Sequence, residues 1–240
     1  MNMVLACTGY PQRELSRFRR LLPQLAKVYE TIILSVPPNM TSDELGILES
    51  SPNVIVFSNQ DWSQGRYSAI QKALETSAKY IHYADLDRVL HWIETNSEEL
   101  REVVLGIEKT DCLVIGRTKK AFETHPNALQ QTEKIINIVF SNLLGQSVDL
   151  GGGSRGFSRR AAEFLIGNSN SSSSWCTDSE WVMLLYHAGY HVDYIEVNGL
   201  ESPNYPTTYD TDVNHWIFRV QMAQDIIQAG ISVSRNLFRK

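Results

Sequence analysis

Tyr80-Ile81-His82-Tyr83-Ala84-Asp85-Leu86-Asp87-Arg88 is a short apolar and aromatic run that ends in two acidic residues spaced i, i+2. It reads as a buried strand that delivers carboxylates at its C-terminal edge, where the loops of an open α/β sheet line a crevice for ligands. Two carboxylates there can share one hard cation. Mg²⁺ or Mn²⁺ takes few protein oxygens and leaves its other positions to water and substrate phosphates, so an Asp-x-Asp at this place points to a metal-bound diphosphate. Two solvated turn carboxylates would have the same spacing, and the flanking chain has to decide between these readings.

Upstream, Met3-Val4-Leu5-Ala6-Cys7 is a continuous apolar run followed by Thr8-Gly9-Tyr10-Pro11, a fully buried strand and a turn. Leu15, Phe18, Leu22 and Leu25 recur at helical spacing, with Arg13, Arg17, Arg19 and Arg20 on the solvated remainder. Residues 31–36 form a second strand stopped by Pro37-Pro38, Thr41 and Glu44 have capping-box form, and Val54-Ile55-Val56-Phe57 makes a third strand. Strand and helix alternate, the pattern of a parallel sheet covered by helices. Asn59-Gln60-Asp61-Trp62-Ser63-Gln64 then leads to Gly65, which opens a helix back to the acidic strand. The free amides at that helix start favour an anion, and Arg66 adds a charged fork for phosphate.

Composition sets the outer limits. The chain has 240 residues, 42% hydrophobic and 20% charged, enough for one substantial core, and its formal net charge of -5 argues against a nucleic-acid partner. Cys7, Cys112 and Cys176 are odd in number and widely spaced, which implies neither a zinc knuckle nor a disulfide framework and agrees with a reducing cytoplasm. The N-terminus lacks the pattern of a signal peptide, and no apolar run reaches the roughly 18 residues of a membrane span. The expectation is a soluble, cytoplasmic protein.

From Met3 to Asp87 the chain resembles the nucleotide-sugar-binding half of a GT-A glycosyltransferase, of the family 2 type and similar to the small mannosyl- and glucosyl-glycerate synthases. The match is carried by Gly65-Arg66-Tyr67-Ser68-Ala69, Ala73, Ala78 and residues 80–87. The resemblance implies an α/β fold with a mainly parallel sheet and a metal on Asp85 and Asp87. Together with strand-edge position, it implies a nucleotide site formed by Thr8, Gly9, Tyr10, Ser35, Asp61, Gly65, Arg66 and Asp85. The second strand departs from the family by ending Ser35-Val36-Pro37-Pro38 in place of an acidic, Gly-Ser-rich turn.

The remainder should supply the acceptor side. A helix is expected near Ser97, a strand at Cys112-Leu113-Val114-Ile115, and a helix from Leu129 to Leu144 with Leu129, Ile136, Val139, Phe140 and Leu143 in the core. Residues 149–160 resemble the family's acceptor loop, in which Gly151, Gly152 and Gly153 let backbone approach a sugar closely. The Asn- and Ser-rich stretch 167–174 reads as a lid. Thr177 and Glu180 have capping-box form, while Asp178 and Glu180 resemble the family's acidic helix, which makes Asp178 the expected base in an inverting enzyme. Trp216, Val220, Ala223 and Ile227 form the expected apolar stripe of a C-terminal helix. His215 at its edge lies where some GT-A enzymes carry a third metal ligand.

The expected architecture is therefore a single GT-A domain over 1–240, with a nucleotide-sugar half at 1–117 and an acceptor half at 118–240. The expected activity is Mn²⁺- or Mg²⁺-dependent transfer, most simply of a hexosyl group, from a UDP- or GDP-linked sugar to a small-molecule or glycan acceptor. A homodimer stays open. Two alternatives also stay open: a nucleotidyltransferase, disfavoured by the glycine-poor turn after the first strand, and a non-catalytic nucleotide-sugar-binding protein.

Overall fold

The computed structural model describes residues 2–9, 11–169, 173–202 and 211–237. β1 (Met3–Thr8) is buried at every position, as its unbroken apolar run predicts. Its side chains alternate: Met3, Leu5 and Cys7 enter one core, Val4 and Ala6 a second on the other face of the sheet. After α1 (Pro11–Leu25) and β2 (Thr31–Val36), the predicted capping box starts α2 (Ser42–Glu49): Glu44 N donates to Thr41 Oγ1 at 3.3 Å, and Thr41 N donates to Glu44 Oε2 at 2.9 Å. Next come β3 (Val54–Ser58), α3 (Gly65–Leu74), opened by the predicted glycine, and β4 (Tyr80–Asp85). α4 (Leu86–Thr95) begins at once, so only Asp85 belongs to the strand edge and Asp87 lies in the first helical turn.

The chain continues through α5 (Ser97–Ile107), β5 (Cys112–Arg117), α6 (Lys119–Phe122), α7 (Asn127–Leu144), β6 (Ser154–Ser158), α8 (Arg159–Asn168), α9 (Thr177–His187), β7 (Val192–Val197) and α10 (Val213–Leu237). Among the described residues the strands form one seven-stranded sheet in the order β3-β2-β1-β4-β6-β5-β7. β6 is antiparallel to β4 and β5, whereas the other pairs are parallel. Connections diverge on either side of β1, and a crevice opens where they part, at the C-terminal ends of β1 and β4. Thr8 pairs with Ser35 on one side and Asp85 on the other. Because β6 runs the opposite way, its first residue lies opposite Ala84, and Asp85 N donates to Gly153 O at 3.0 Å.

Several local expectations change. Residues 149–160, read as an acceptor loop, contain β6 in the interior of the sheet; its buried Arg155 and Gly156 conceal the strand from an apolar pattern. Gly156 is required there, since a Cβ would meet Ile107 Cγ1 at 2.3 Å. Leu143 of α7 is exposed and Val139 half-buried, leaving Leu129, Ile136, Phe140 and Leu144 in the core. On α10 the inward face is rotated: Val220 is exposed, while Arg219, Ala223 and Ile226 are buried. Thr177 and Glu180 form no capping box. Cys176 is the N-cap of α9, Thr177 Oγ1 donates to Ser174 O at 2.5 Å, and Glu180 accepts from Ser169 Oγ at 2.6 Å. Residues 170–172 of the stretch expected to form a lid lie outside the described residues. No helix among the described residues is long and apolar enough to cross a membrane.

Candidate active site

The crevice is built around Asp85. Its Oδ1 accepts from the Tyr83 hydroxyl and, at 3.4 Å, from Thr8 Oγ1; the two hydroxyls are themselves 2.7 Å apart. Burial pushes the Tyr83 hydroxyl well above its ordinary range, so it remains a donor. Asp85 Oδ2 accepts from Arg66 Nη2 at 3.2 Å, and Arg66 Nη1 reaches Asp178 Oδ1 at 2.6 Å. One guanidinium, offered by the first turn of α3, thus joins the carboxylate of β4 to that of α9. Burial works against the Arg66 charge, but the two carboxylates prevail and hold it firmly protonated.

Arg155 supports Asp178 from beneath, with Nη1 3.1 Å from Asp178 Oδ1 and Nη2 donating to Leu150 O at 2.7 Å and Asp178 O at 2.8 Å. A second charged chain closes the far side. Arg117 Nε donates to Asp149 Oδ2 at 2.7 Å, its Nη2 bonds Glu133, and Arg219 Nη2 donates to Glu133 Oε1 at 2.6 Å. Burial opposes ionisation of Asp149, yet the Arg117 guanidinium holds its carboxyl down at about 2. Between the two chains lies a cavity of about 200 Å³ lined by Arg66, Asp85, Arg88, Trp175, Asp178 and Arg219 among others. Trp175 Nε1 and Arg219 Nε, both buried, have no hydrogen-bond partner among the described residues.

The three glycines line this cavity, and each also permits a close approach behind it. A Cβ on Gly151 would lie 2.2 Å from Glu133 Oε2, on Gly152 2.4 Å from Ile115 O, and on Gly153 2.6 Å from Asp85 Oδ2. Gly153 also has φ +64°, a left-handed conformation natural to glycine. The contact is backed by a buried chain in which Tyr29 OH lies 2.7 Å from His82 Nδ1 and His82 Nε2 lies 2.8 Å from Ser154 Oγ. Burial lowers the His82 pKa to about 3 and keeps the ring neutral.

Other expected site residues lie apart from this cavity. Ser35, paired with Thr8, is fully buried, and its Oγ has no partner among the described residues. A Cβ on Gly9 would meet Leu86 Cβ at 2.7 Å, so Gly9 allows the turn after β1 to pack on α4. Asp61 is exposed and accepts from Ser63 N at 3.1 Å, closing its own turn. Gly65 is buried at the start of α3, and Tyr10 lies outside the described residues. Glu180 is absorbed by Ser169. Arg88, Arg155, Glu133 and Arg219 were not singled out by the sequence.

Several solved structures share this architecture. Mannosyl-3-phosphoglycerate synthase from Rubrobacter xylanophilus matches with a TM-score of 0.62 at 11% identity, over 100% of this chain and 76% of that one. Glucosyl-3-phosphoglycerate synthase from Mycobacterium tuberculosis, in complex with Mn²⁺, uridine diphosphate and phosphoglyceric acid, gives 0.57 at 10% identity, over 97% and 78% of the two chains. CMP:2-keto-3-deoxy-manno-octonic acid synthetase complexed with CTP gives 0.51 at 12% identity, over 93% and 98%. The fold is that of the GT-A nucleotide-diphospho-sugar transferases. No known family profile matches the chain, and no curated protein matches it in sequence.

On this GT-A frame Asp85 and Asp87 offer the hard oxygens that Mg²⁺ or Mn²⁺ takes, and the exposed Asp87 has its carboxylate 3.8 Å from Arg88 Nε. Desolvation raises the Asp87 carboxyl from its ordinary value and the Asp85 charge adds to this, Arg88 opposing; with 62% of the side chain open to water, the effect is screened. In donor chemistry each carboxylate suits such an ion, but the cavity is lined by Asp85 and not by Asp87, which stands on the exposed first turn of α4. The expected third ligand is not gathered: among the described residues no three His, Cys, Asp or Glu side chains converge as a metal cluster. His215 stands four residues before Arg219, one helical turn outside the cavity lining on the same face.

Proposed function

We propose that this protein is a glycosyltransferase that moves a sugar, in the simplest case a hexosyl group, from a UDP- or GDP-linked donor to the hydroxyl of a small anionic acceptor. The observation that carries this reading is the Asp85–Arg66–Asp178 bridge across a cavity at the strand edge where the connections diverge. Residues 1–117 would bind the donor and 118–240 the acceptor, with Arg66 reaching from one to the other. A divalent ion held by Asp85 and Asp87 would neutralise charge developing on the departing diphosphate.

The chain's own groups account for the rest. Thr8 and Tyr83 fix the orientation of Asp85, and Gly153 lets the carboxylate lie against the backbone. In the reaction the bond between the anomeric carbon and the diphosphate breaks, the acceptor oxygen bonds to that carbon, and the acceptor hydroxyl gives up its proton. Asp178 Oδ1 is already shared by Arg66 and Arg155, so Oδ2 is the atom left to receive or orient that hydroxyl. The unpartnered Trp175 and Arg219 donors and the nearby Arg88 suit a carboxylate or phosphate on the acceptor. Phosphoglyceric acid accompanies one of the similar structures, which is consistent with such a group.

The likeness to the CTP-bound synthetase favours a second reading, nucleotidyl transfer. The products separate the two. Incubation with UDP- and GDP-sugars, Mn²⁺ and a set of small acceptors should release nucleoside diphosphate, acidic acceptors should outperform neutral ones, and Asp85→Ala should lower kcat/KM at least about 100-fold. Pyrophosphate release from a nucleoside triphosphate, with no diphosphate release from any sugar nucleotide, would instead assign the second reading.

A further inference from the structure

We infer that Arg66 is a resident counter-cation for Asp85, and that competition from its guanidinium sets how tightly the site takes a divalent metal. The inference rests on the metal site proposed above and concerns a residue that would touch no metal. Asp85 carries donors on both oxygens: the Tyr83 and Thr8 hydroxyls on Oδ1 and Arg66 on Oδ2. Any cation arriving at this carboxylate must share it with them or displace one, and the only charged donor among them is Arg66. The guanidinium is held in place. Its side chain is 12% exposed, its carbon stands 5.4 Å from the centre of the Tyr83 ring, and burial gives it little water to exchange for a lost carboxylate.

The two contacts of Arg66 are unequal. The one to Asp178 is 2.6 Å and the one to Asp85 is 3.2 Å, so Asp178 is the firmer anchor and Asp85 the one more easily released. When Asp85 is given up, the Nη2 fork is freed on the donor side of the cavity while Nη1 stays on Asp178. A phosphate oxygen is the natural acceptor for that freed fork. Arg66 would thereby weaken metal binding in the absence of nucleotide and strengthen binding of a diphosphate, two effects of opposite sign from one side chain.

The test uses the intact protein with Mn²⁺ alone and with uridine diphosphate alone, each by calorimetry, and follows free Mn²⁺ by electron paramagnetic resonance. Arg66→Gln should tighten Mn²⁺ binding by roughly three- to tenfold and weaken metal-free uridine diphosphate binding by a similar factor. Arg66→Lys, which keeps the charge, should stay nearer the parent. Asp178→Asn should move the guanidinium onto Asp85 and weaken Mn²⁺ binding, which gives a reading of opposite sign if Arg66→Gln does not fold. In an Asp85→Asn background the Arg66→Gln gain should vanish, as direct competition requires. Mn²⁺ affinity that is unchanged or lower in Arg66→Gln, with a parent that binds the ion, overturns the inference and leaves the proposed transfer reaction standing. Absence of Mn²⁺ binding in the parent and every variant would remove both the inference and the metal site.

Discussion

Gly153 shows how a single backbone angle can hold a charged side-chain constellation in place. Its φ of +64° would cost a residue with a Cβ about 1–2 kcal/mol, and that Cβ would stand 2.6 Å from Asp85 Oδ2. Gly145 is a natural control, with φ +69° and nothing within 4 Å of where a Cβ would sit. Gly145→Ala should therefore lose stability through backbone strain alone, whereas Gly153→Ala should also push Asp85 aside and weaken donor binding at least about tenfold. Thermal melts and nucleotide titrations on both variants decide this, and equal donor binding by the two would break the link between Gly153 and Asp85. At this scale the sequence displayed Asp85, Gly65 and Arg66, because strand edge and helix start are local patterns. It could not display their arrangement. Arg66 and Asp178 are separated by 112 residues, and no periodicity or spacing connects them.

At the scale of elements, α10 is held over the cavity by a buried ion chain and by one close crossing. Glu133 on α7 bonds both Arg117 at the end of β5 and Arg219 on α10. At Gly230 a Cβ would come within 2.4 Å of the Phe140 ring, so the bare backbone is what lets the two helices meet. Glu133→Ala would leave Arg117 with Asp149 alone and Arg219 without its carboxylate, and should cost about 3–5 kcal/mol in denaturant unfolding. Loss of hydrogen-exchange protection should appear first in the turns of α10 around Arg219; a loss under about 1 kcal/mol would show that water replaces Glu133 at little cost. The same chain explains why element positions were more legible than element faces. β1, β2, β3, β4 and the start of α3 follow from apolar runs and turn residues, and the Thr41 cap from a four-residue motif. α10, however, turns an arginine inward and leaves Val220 outside, because pairing with Glu133 outweighs the apolar count. β6 was hidden for a related reason, its central residues being an arginine and a glycine rather than an alternating apolar set.

For the molecule as a whole, buried neutral imidazoles should govern the response to acid. Burial lowers both His82 and His125 to about 3, well below the value near 6.5 expected of the unfolded chain. The unfolded chain then takes up two protons that the folded protein refuses. Their contribution is complete above about pH 6.5 and is lost progressively as the pH falls from there towards 3, reaching about 2 kcal/mol for each ring at pH 5. Asp149 acts in the same direction in a lower window: held near 2 by Arg117 against an unfolded value near 3.9, it stabilises the fold above about pH 4 and loses that effect as the pH falls through 2. The melting temperature should thus drop by roughly 10 °C between pH 7.5 and 5, before carboxylate protonation contributes much. His82→Gln provides the assignment. An amide can bond the Tyr29 and Ser154 hydroxyls without titrating, so the variant should be less stable at pH 7.5 but lose about one proton's worth of slope between pH 6.5 and 5. Parallel stability profiles for the parent and His82→Gln over that interval would mean that the acid sensitivity arises elsewhere.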